Sequence, residues 1–135
     1  VASRMRRKDV LFREDPPELL VILDEATLLR PIGGPHVMRA QLEYLLDLVE
    51  TRERTSIQLV PLTMHMHAGL TGPIVVTSFR GQPDVVYLES AWRGEVITDP
   101  DGVEELTSRF DAIRVLAVPQ PTSLSMIRKA CEQWT

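Results

Sequence analysis

Leu19-Leu20-Val21-Ile22-Leu23-Asp24-Glu25-Ala26-Thr27-Leu28-Leu29-Arg30-Pro31-Ile32-Gly33-Gly34-Pro35 is the stretch on which the fold turns. Its first five residues are an uninterrupted apolar run rich in branched side chains, which predicts a fully buried strand. Asp24 to Arg30 reads as a short helical turn. Pro31 to Pro35 then breaks the chain, because proline and paired glycines favour turns over continued helix. From His36 to Thr51 the apolar residues Met38, Leu42, Leu45 and Val49 recur at spacings of three and four, which places them on one face of a helix.

The same reasoning extends in both directions. Residues 4–13 make a short amphipathic helix candidate with Met5, Val10 and Leu11, stopped by Asp15-Pro16-Pro17. Ser56 to Leu62 reads as a strand, and Thr63 to Pro73 as a loop segment. Three strand candidates follow at Ile74–Phe79, Asp84–Glu89 and Gly94–Ile97. Their links are short enough for hairpins, so an antiparallel meander is the simplest arrangement. Asp99 caps a helix with Pro100 at its first position, and Val103, Leu106, Phe110, Ile113 and Ala117 mark its buried face. Pro119-Gln120-Pro121 ends that helix. Thr122 or Ser123 is the expected cap of a last helix carrying Leu124, Ile127 and Trp134. The fold class expected is α+β: a central antiparallel or mixed sheet of four to five strands, with helices packed on it and at both termini.

Composition narrows the class of protein. Of 135 residues, 44% are hydrophobic and 25% charged, an ordinary globular balance that can bury a core without disulfides. Cys131 is the single cysteine, so an internal disulfide and a cysteine-rich zinc site are both excluded. No apolar run approaches a membrane span, and a reducing cytoplasm is the expected setting. The net charge is −4, so the body as a whole does not attract nucleic-acid phosphate. Basic residues gather at the start, in Arg4, Arg6, Arg7 and Lys8. Residues 1–14 therefore read either as the end of a linker helix or as an ordinary solvated helix end, and 15–135 as the domain proper.

Several residues suggest chemistry. Met64-His65-Met66-His67 offers soft metal ligands without a firm third partner, and a solvated loop is the preferred reading. Asp24, Glu25 and Glu89 stand at strand ends, where acid–base carboxylates occur. For Asp24 the ordinary role of a carboxylate at a helix start is preferred. Gly33-Gly34 lacks the spacing of a phosphate loop. Cys131 reads as a small buried hydrophobe, and Trp92 as either an exposed anchor or a lid on the sheet.

Three groups of residues carry a resemblance. They are Val21 to Arg30 with Ile32-Gly33-Gly34 and Val37-Met38-Arg39-Ala40-Gln41-Leu42; Gln58-Leu59-Val60-Pro61 with Gly72-Pro73; and Val85-Val86-Tyr87-Leu88-Glu89. In this order they resemble the uncharacterised domain that follows an XRE-type helix-turn-helix in many actinobacterial regulators, sometimes called antitoxin-like. Arg4 to Leu11 resembles the segment joining the two parts. Lys8 departs from the glutamine common there, and Met64-His65-Met66 replaces a more ordinary loop. The resemblance implies a sensor or partner-binding domain that controls DNA binding by an N-terminal module. The partner it implies is a small acidic protein encoded by a neighbouring gene. A homodimer and a small-molecule effector are alternatives, DNA is contacted only through the other module, and no cofactor, metal or membrane is expected.

The expected binding surface lies near Glu25, Leu28, Arg30, Gly33, Gly34, Gln41, Tyr87 and Glu89, with no catalytic residue assigned. The competing expectation is a small metal- or carboxylate-dependent hydrolase using Glu25, Glu89, His65 and His67.

Overall fold

The computed structural model describes residues 2–135, and the chain divides into two compact units. The first runs up to Leu59 and resumes at Val118–Thr135; the second is Val60–Ala117.

The first unit begins with helix α1 (Ala2–Arg7), continued by a 3-10 turn over Lys8–Phe12. Arg52 lies over the Phe12 ring, 4.3 Å from its centroid, and Lys8 lies 5.9 Å from that of Tyr44. Strand β1 (Leu19–Asp24) then leads through helix α2 (Ala26–Leu29) and helix α3 (Pro35–Thr51) to strand β2 (Thr55–Val60). The β1–β2 pair is a two-stranded parallel sheet. Parallel neighbours need a crossover, and α3 supplies it. One detail of the sequence reading is corrected: β1 is half-buried along its whole length, not fully buried. A strand in a two-stranded sheet has one covered face and a free edge. Its apolar residues Val21 and Leu23 pack on the core, which explains the run without full enclosure.

Helix α5 (Gln120–Gln133) closes this unit. The core is built from Leu28, Leu42, Ile57, Leu59, Ile127, Ala130 and Cys131, one layer from each packed element. Burying one leucine or isoleucine of this kind contributes about 1.5–3 kcal/mol. Trp134 fixes the end of α5, its Nε1–H donating to the Leu28 carbonyl at 2.9 Å.

The edge of β2 that β1 does not occupy is met by α5 in place of a third strand. The Ile57 N–H donates to Gln120 Oε1 at 3.1 Å, and the Leu59 N–H donates to Ser123 Oγ at 2.9 Å. The Val118 N–H donates to the Leu59 carbonyl at 2.9 Å, while Gln58 Nε2 donates to the Val118 carbonyl at 3.1 Å. An exposed strand edge invites foreign strands, and here side chains satisfy it. This corrects the expected cap: α5 starts at Gln120 without a side-chain cap, and Ser123 lies fully buried inside the helix.

The second unit is a meander. Strands β3 (Ile74–Thr77), β4 (Val85–Glu89) and β5 (Gly94–Ile97) form an antiparallel sheet in that order. The expected single sheet is thus two sheets, each within its own unit. Val76, Val86 and Ile97 stand in one row and Val75, Tyr87 and Val96 in the next. Helix α4 (Pro100–Leu116) contacts β3 and β4 and packs beside a 3-10 turn at Ala68–Thr71. Val60, Val86 and Ile113 are the buried apolar residues of this unit. Asp99 caps α4 as expected, accepting from the Gly102 N–H at 2.8 Å.

Candidate functional site

Six of the residues expected to form the binding surface fall in the first unit, and Tyr87 and Glu89 fall in the second. Each group is described within its own unit.

In the first unit Asp24 is taken up by local structure. Its Oδ1 accepts from the Ala26 N–H at 2.8 Å and its carbonyl accepts from Thr27 Oγ1 at 2.7 Å, which starts the α2 turn. Glu25 precedes α2 and its carbonyl accepts from the Leu28 N–H at 3.0 Å. Leu28 is a correction: only 2% of it is exposed, because it is the residue of α2 that turns into the core. It cannot touch a partner directly. Its neighbours do reach solvent. Leu29, Ile32 and Val37 are large apolar residues left exposed around the Pro31–Pro35 break, beside exposed Arg30 and Gln41.

The glycines shape this patch. Gly33 has φ +77, and a Cβ there would stand 2.9 Å from Val37 Cγ1. Val37 is therefore seated directly on the glycine. Gly34, at φ +91, begins α3 with nothing within 4 Å of an added Cβ. Gln41 lies one helical turn beyond Val37 on the same side of α3.

In the second unit the sheet has two unlike faces. Residues opposite each other in an antiparallel pair share a face. The row Val76–Val86–Ile97 faces inward, and Val86 is fully buried. The row Val75–Tyr87–Val96 faces outward, where Val75 is 48% and Val96 60% exposed. Tyr87 lies flat across Gly94: a Cβ on Gly94 would meet the Tyr87 hydroxyl and stand 2.6 Å from its ring Cζ. Glu89 is opposite Gly94 at the end of the same face.

The β4–β5 link presents an aromatic. Ser90 Oγ donates to the Arg93 carbonyl at 2.9 Å and accepts from the N–H groups of Trp92 and Arg93, each at 3.2 Å. This ties the link closed and leaves Trp92 89% exposed, so it does not fold back as a lid on the sheet. A cleft of about 290 Å³ beside it is lined by Gly72, Glu89, Trp92, Arg93, Leu106 and Arg109 among others. A second, of about 510 Å³, runs along α4 from Pro100 to Asp111 and carries Asp84, Glu104 and Asp111. Sequence reading missed both, since they form from residues that sit far apart in the chain.

The residues of the hydrolase expectation are placed as follows. Glu25 belongs to the first unit; Glu89, His65 and His67 belong to the second. Met64, His65 and Met66 are exposed, while His67 is half-buried with its Nδ1 close to Gly69. Among the described residues no three of His, Cys, Asp or Glu gather as a metal-holding group. Among them, too, no helix is long and apolar enough to cross a membrane. Cys131 is buried with its Sγ toward the Arg39 carbonyl, and burial, then Glu43, pushes its thiol above the ordinary range against the opposing pull of Arg39.

What fold and surface define is an α+β domain of two units, each bearing an exposed apolar patch. The chain belongs to the family described as Domain of unknown function (DUF5753), whose model matches residues 1–129 and so spans both units. No curated protein and no solved structure matches it.

Proposed function

We propose that this chain is the sensing and partner-binding half of a bacterial XRE-type helix-turn-helix regulator of the actinobacterial kind. It acts in the cytoplasm, and it biases DNA binding by an N-terminal module when a small acidic protein encoded beside its gene binds. The observation that carries this reading is the grouping of exposed apolar side chains. Apolar residues scattered singly over a surface need no explanation, whereas contiguous ones mark interaction sites. Here they gather as Leu29, Ile32 and Val37 around the Gly33 turn, and as Val75 and Val96 on the sheet on either side of half-buried Tyr87, with Trp92 nearby in sequence. Control of DNA binding requires that the partner bind one state of the regulator better than the other.

The test is light scattering after size exclusion, on the chain alone and mixed with that acidic protein. A complex of defined stoichiometry supports the reading. Alanine at Glu25, Arg30 and Gln41 then maps the first unit's contribution. If the mixture elutes as two separate species, the partner reading is wrong. A dimer of the chain alone would then point to self-association, and a monomer to a small effector.

A further inference from the structure

We infer that the bare outer edge of β1 is a self-association surface, on which β1 of a second copy of this chain adds antiparallel and makes one continuous sheet across a two-fold axis. The contact needs no other protein, so it stands apart from the partner reading above.

The direction of the backbone groups defines the edge. The Leu19 N–H donates to the Arg54 carbonyl at 2.8 Å, on the β2 side. Along a strand the N–H and C=O of one residue point to one side, and those of the next residue point to the other. Leu19, Val21 and Leu23 therefore address β2, while Leu20 and Ile22 address the opposite side. The sheet ends at β1, and among the described residues no group bonds to the main chain of Leu20 or Ile22 on that side. Two N–H groups and two carbonyls are left in a row along a half-buried strand.

The fold protects its other edges. On β2 the side chains of Gln120 and Ser123 take the outward N–H groups of Ile57 and Leu59. The outer strands of the meander, β3 and β5, are four residues long, and β5 carries Glu95. Short length and charge are ordinary protections of a strand edge. Over Leu19–Leu23 β1 has no charge, and no proline or glycine interrupts it. Unpaired backbone groups on such an edge are met by an extended backbone, so the occupant is a strand.

The residues of β1 suit a copy of themselves. With Val21 opposite Val21 of the copy, Leu20 faces Ile22 and Leu19 faces Leu23, so every pair is apolar. Leu20 and Ile22 then form hydrogen-bonded pairs, which use both N–H groups and both carbonyls of each strand. Pairing about a two-fold axis also closes, whereas β1 laid on β3 or β5 of another copy leaves further edges open and grows a fibre. At each end Glu18 comes opposite Asp24 of the copy, a like-charge pair. That repulsion, in a contact only about 20 Å long, makes the dimer weak and concentration-dependent.

Sedimentation velocity of the full chain alone, over about a hundredfold range of micromolar concentration, tests this, with amide hydrogen exchange read at both ends of the range. A monomer–dimer equilibrium is expected, with the Leu20 and Ile22 amides protected only at the high end. Ile22→Pro removes an N–H that no native bond uses and should weaken the dimer about tenfold or more. Leu20→Lys keeps the N–H and should do the same through charge, with circular dichroism unchanged. Glu18→Lys, at an exposed position, should tighten the dimer severalfold by facing Asp24 of the copy. Val96→Glu, at an exposed position of the second unit, should stay within twofold of the parent. A chain that stays monomeric overturns the proposal, as does a dimer that Val96→Glu dissolves or in which Leu20 and Ile22 exchange as fast as in the monomer. A dimer that Glu18→Lys leaves unchanged or weakens overturns the pairing about Val21. Protection of the two amides only on adding the acidic neighbour protein gives the edge to a different strand and overturns the second copy as occupant.

Discussion

Replacing Ser123 by alanine tests the claim that α5 stands in for a missing strand. Ser123 is fully buried and its Oγ is the acceptor for the Leu59 N–H at 2.9 Å, in a residue that is itself fully buried. The hydroxyl also contacts the Val118 carbonyl at 3.2 Å, but that carbonyl keeps the Gln58 Nε2 donor at 3.1 Å. Only the Leu59 N–H loses its partner. Leaving a buried donor unsatisfied costs about 1–3 kcal/mol, and the better helix propensity of alanine returns about 0.5 kcal/mol. The net expectation is a loss of about 0.5–2.5 kcal/mol. Urea unfolding reads it directly. With a slope of about 2 kcal/mol/M the midpoint falls by roughly 0.3–1.3 M, and the slope itself stays unchanged. The measurement belongs in a Trp92→Phe background, because Trp92 is nearly all solvent-exposed and belongs to the second unit. Fluorescence of Trp134 then reports the first unit alone. A midpoint within 0.2 M of the parent (on the order of the fitting error) would show that Leu59 does not depend on Ser123, and the edge-covering account would fail.

Three further outcomes follow from local geometry. Gly94→Ala should cost roughly 1–3 kcal/mol by overpacking against the Tyr87 ring, and most of that loss should vanish in a Tyr87→Ala background; additive losses in a double-mutant cycle would contradict the contact. Gly33→Ala should destabilise more than Gly34→Ala: both sites have positive φ, but only Gly33 also drives the new Cβ into Val37, so equal shifts in thermal midpoint would refute the seating of Val37. Cys131 should react with a thiol reagent far more slowly in the folded chain than in urea. Burial raises its folded-state pKa above the unfolded value of about 8.5, so the unfolded chain loses its proton first. The thiol's contribution is therefore complete below that pH and is lost as pH rises through the folded pKa. Comparing midpoints from pH 7.5 to 10 for the parent and Cys131→Ala checks the sign.

The parts of the fold that were legible in the sequence are those set by local chemistry. Asp99-Pro100 named its own helix start because a carboxylate cap and a proline at the first position act within one turn. Gly94–Ile97 was read with the bounds it has in the structure, since a glycine and short turns delimit it. Ser123 was misread for the opposite reason. A serine just after Pro-Gln-Pro looks like a cap at short range, and its true partner is Leu59, 64 positions away. Likewise an apolar run such as Leu19–Leu23 fixes a strand but not how many strands will flank it. The sequence therefore predicted one sheet, where packing made a parallel pair and a separate meander.

The candidate site divides along the same line. Gly33 could be singled out because a paired glycine before a helix signals a turn, and the structure adds what it is for: a seat for Val37 beneath an exposed patch. Tyr87 could be singled out by type, but not its attitude. That depends on Gly94 lying next to its partner in the β4–β5 register, a fact no spacing within either strand contains. Leu28 shows the converse. Among the neighbours Leu28, Leu29 and Arg30, a four-residue helix turns one inward and leaves the next two to solvent. A one-position change of phase thus separates core from surface there. An interaction surface is the feature least legible in a single sequence, because it is defined by apolar residues that the rest of the fold leaves uncovered.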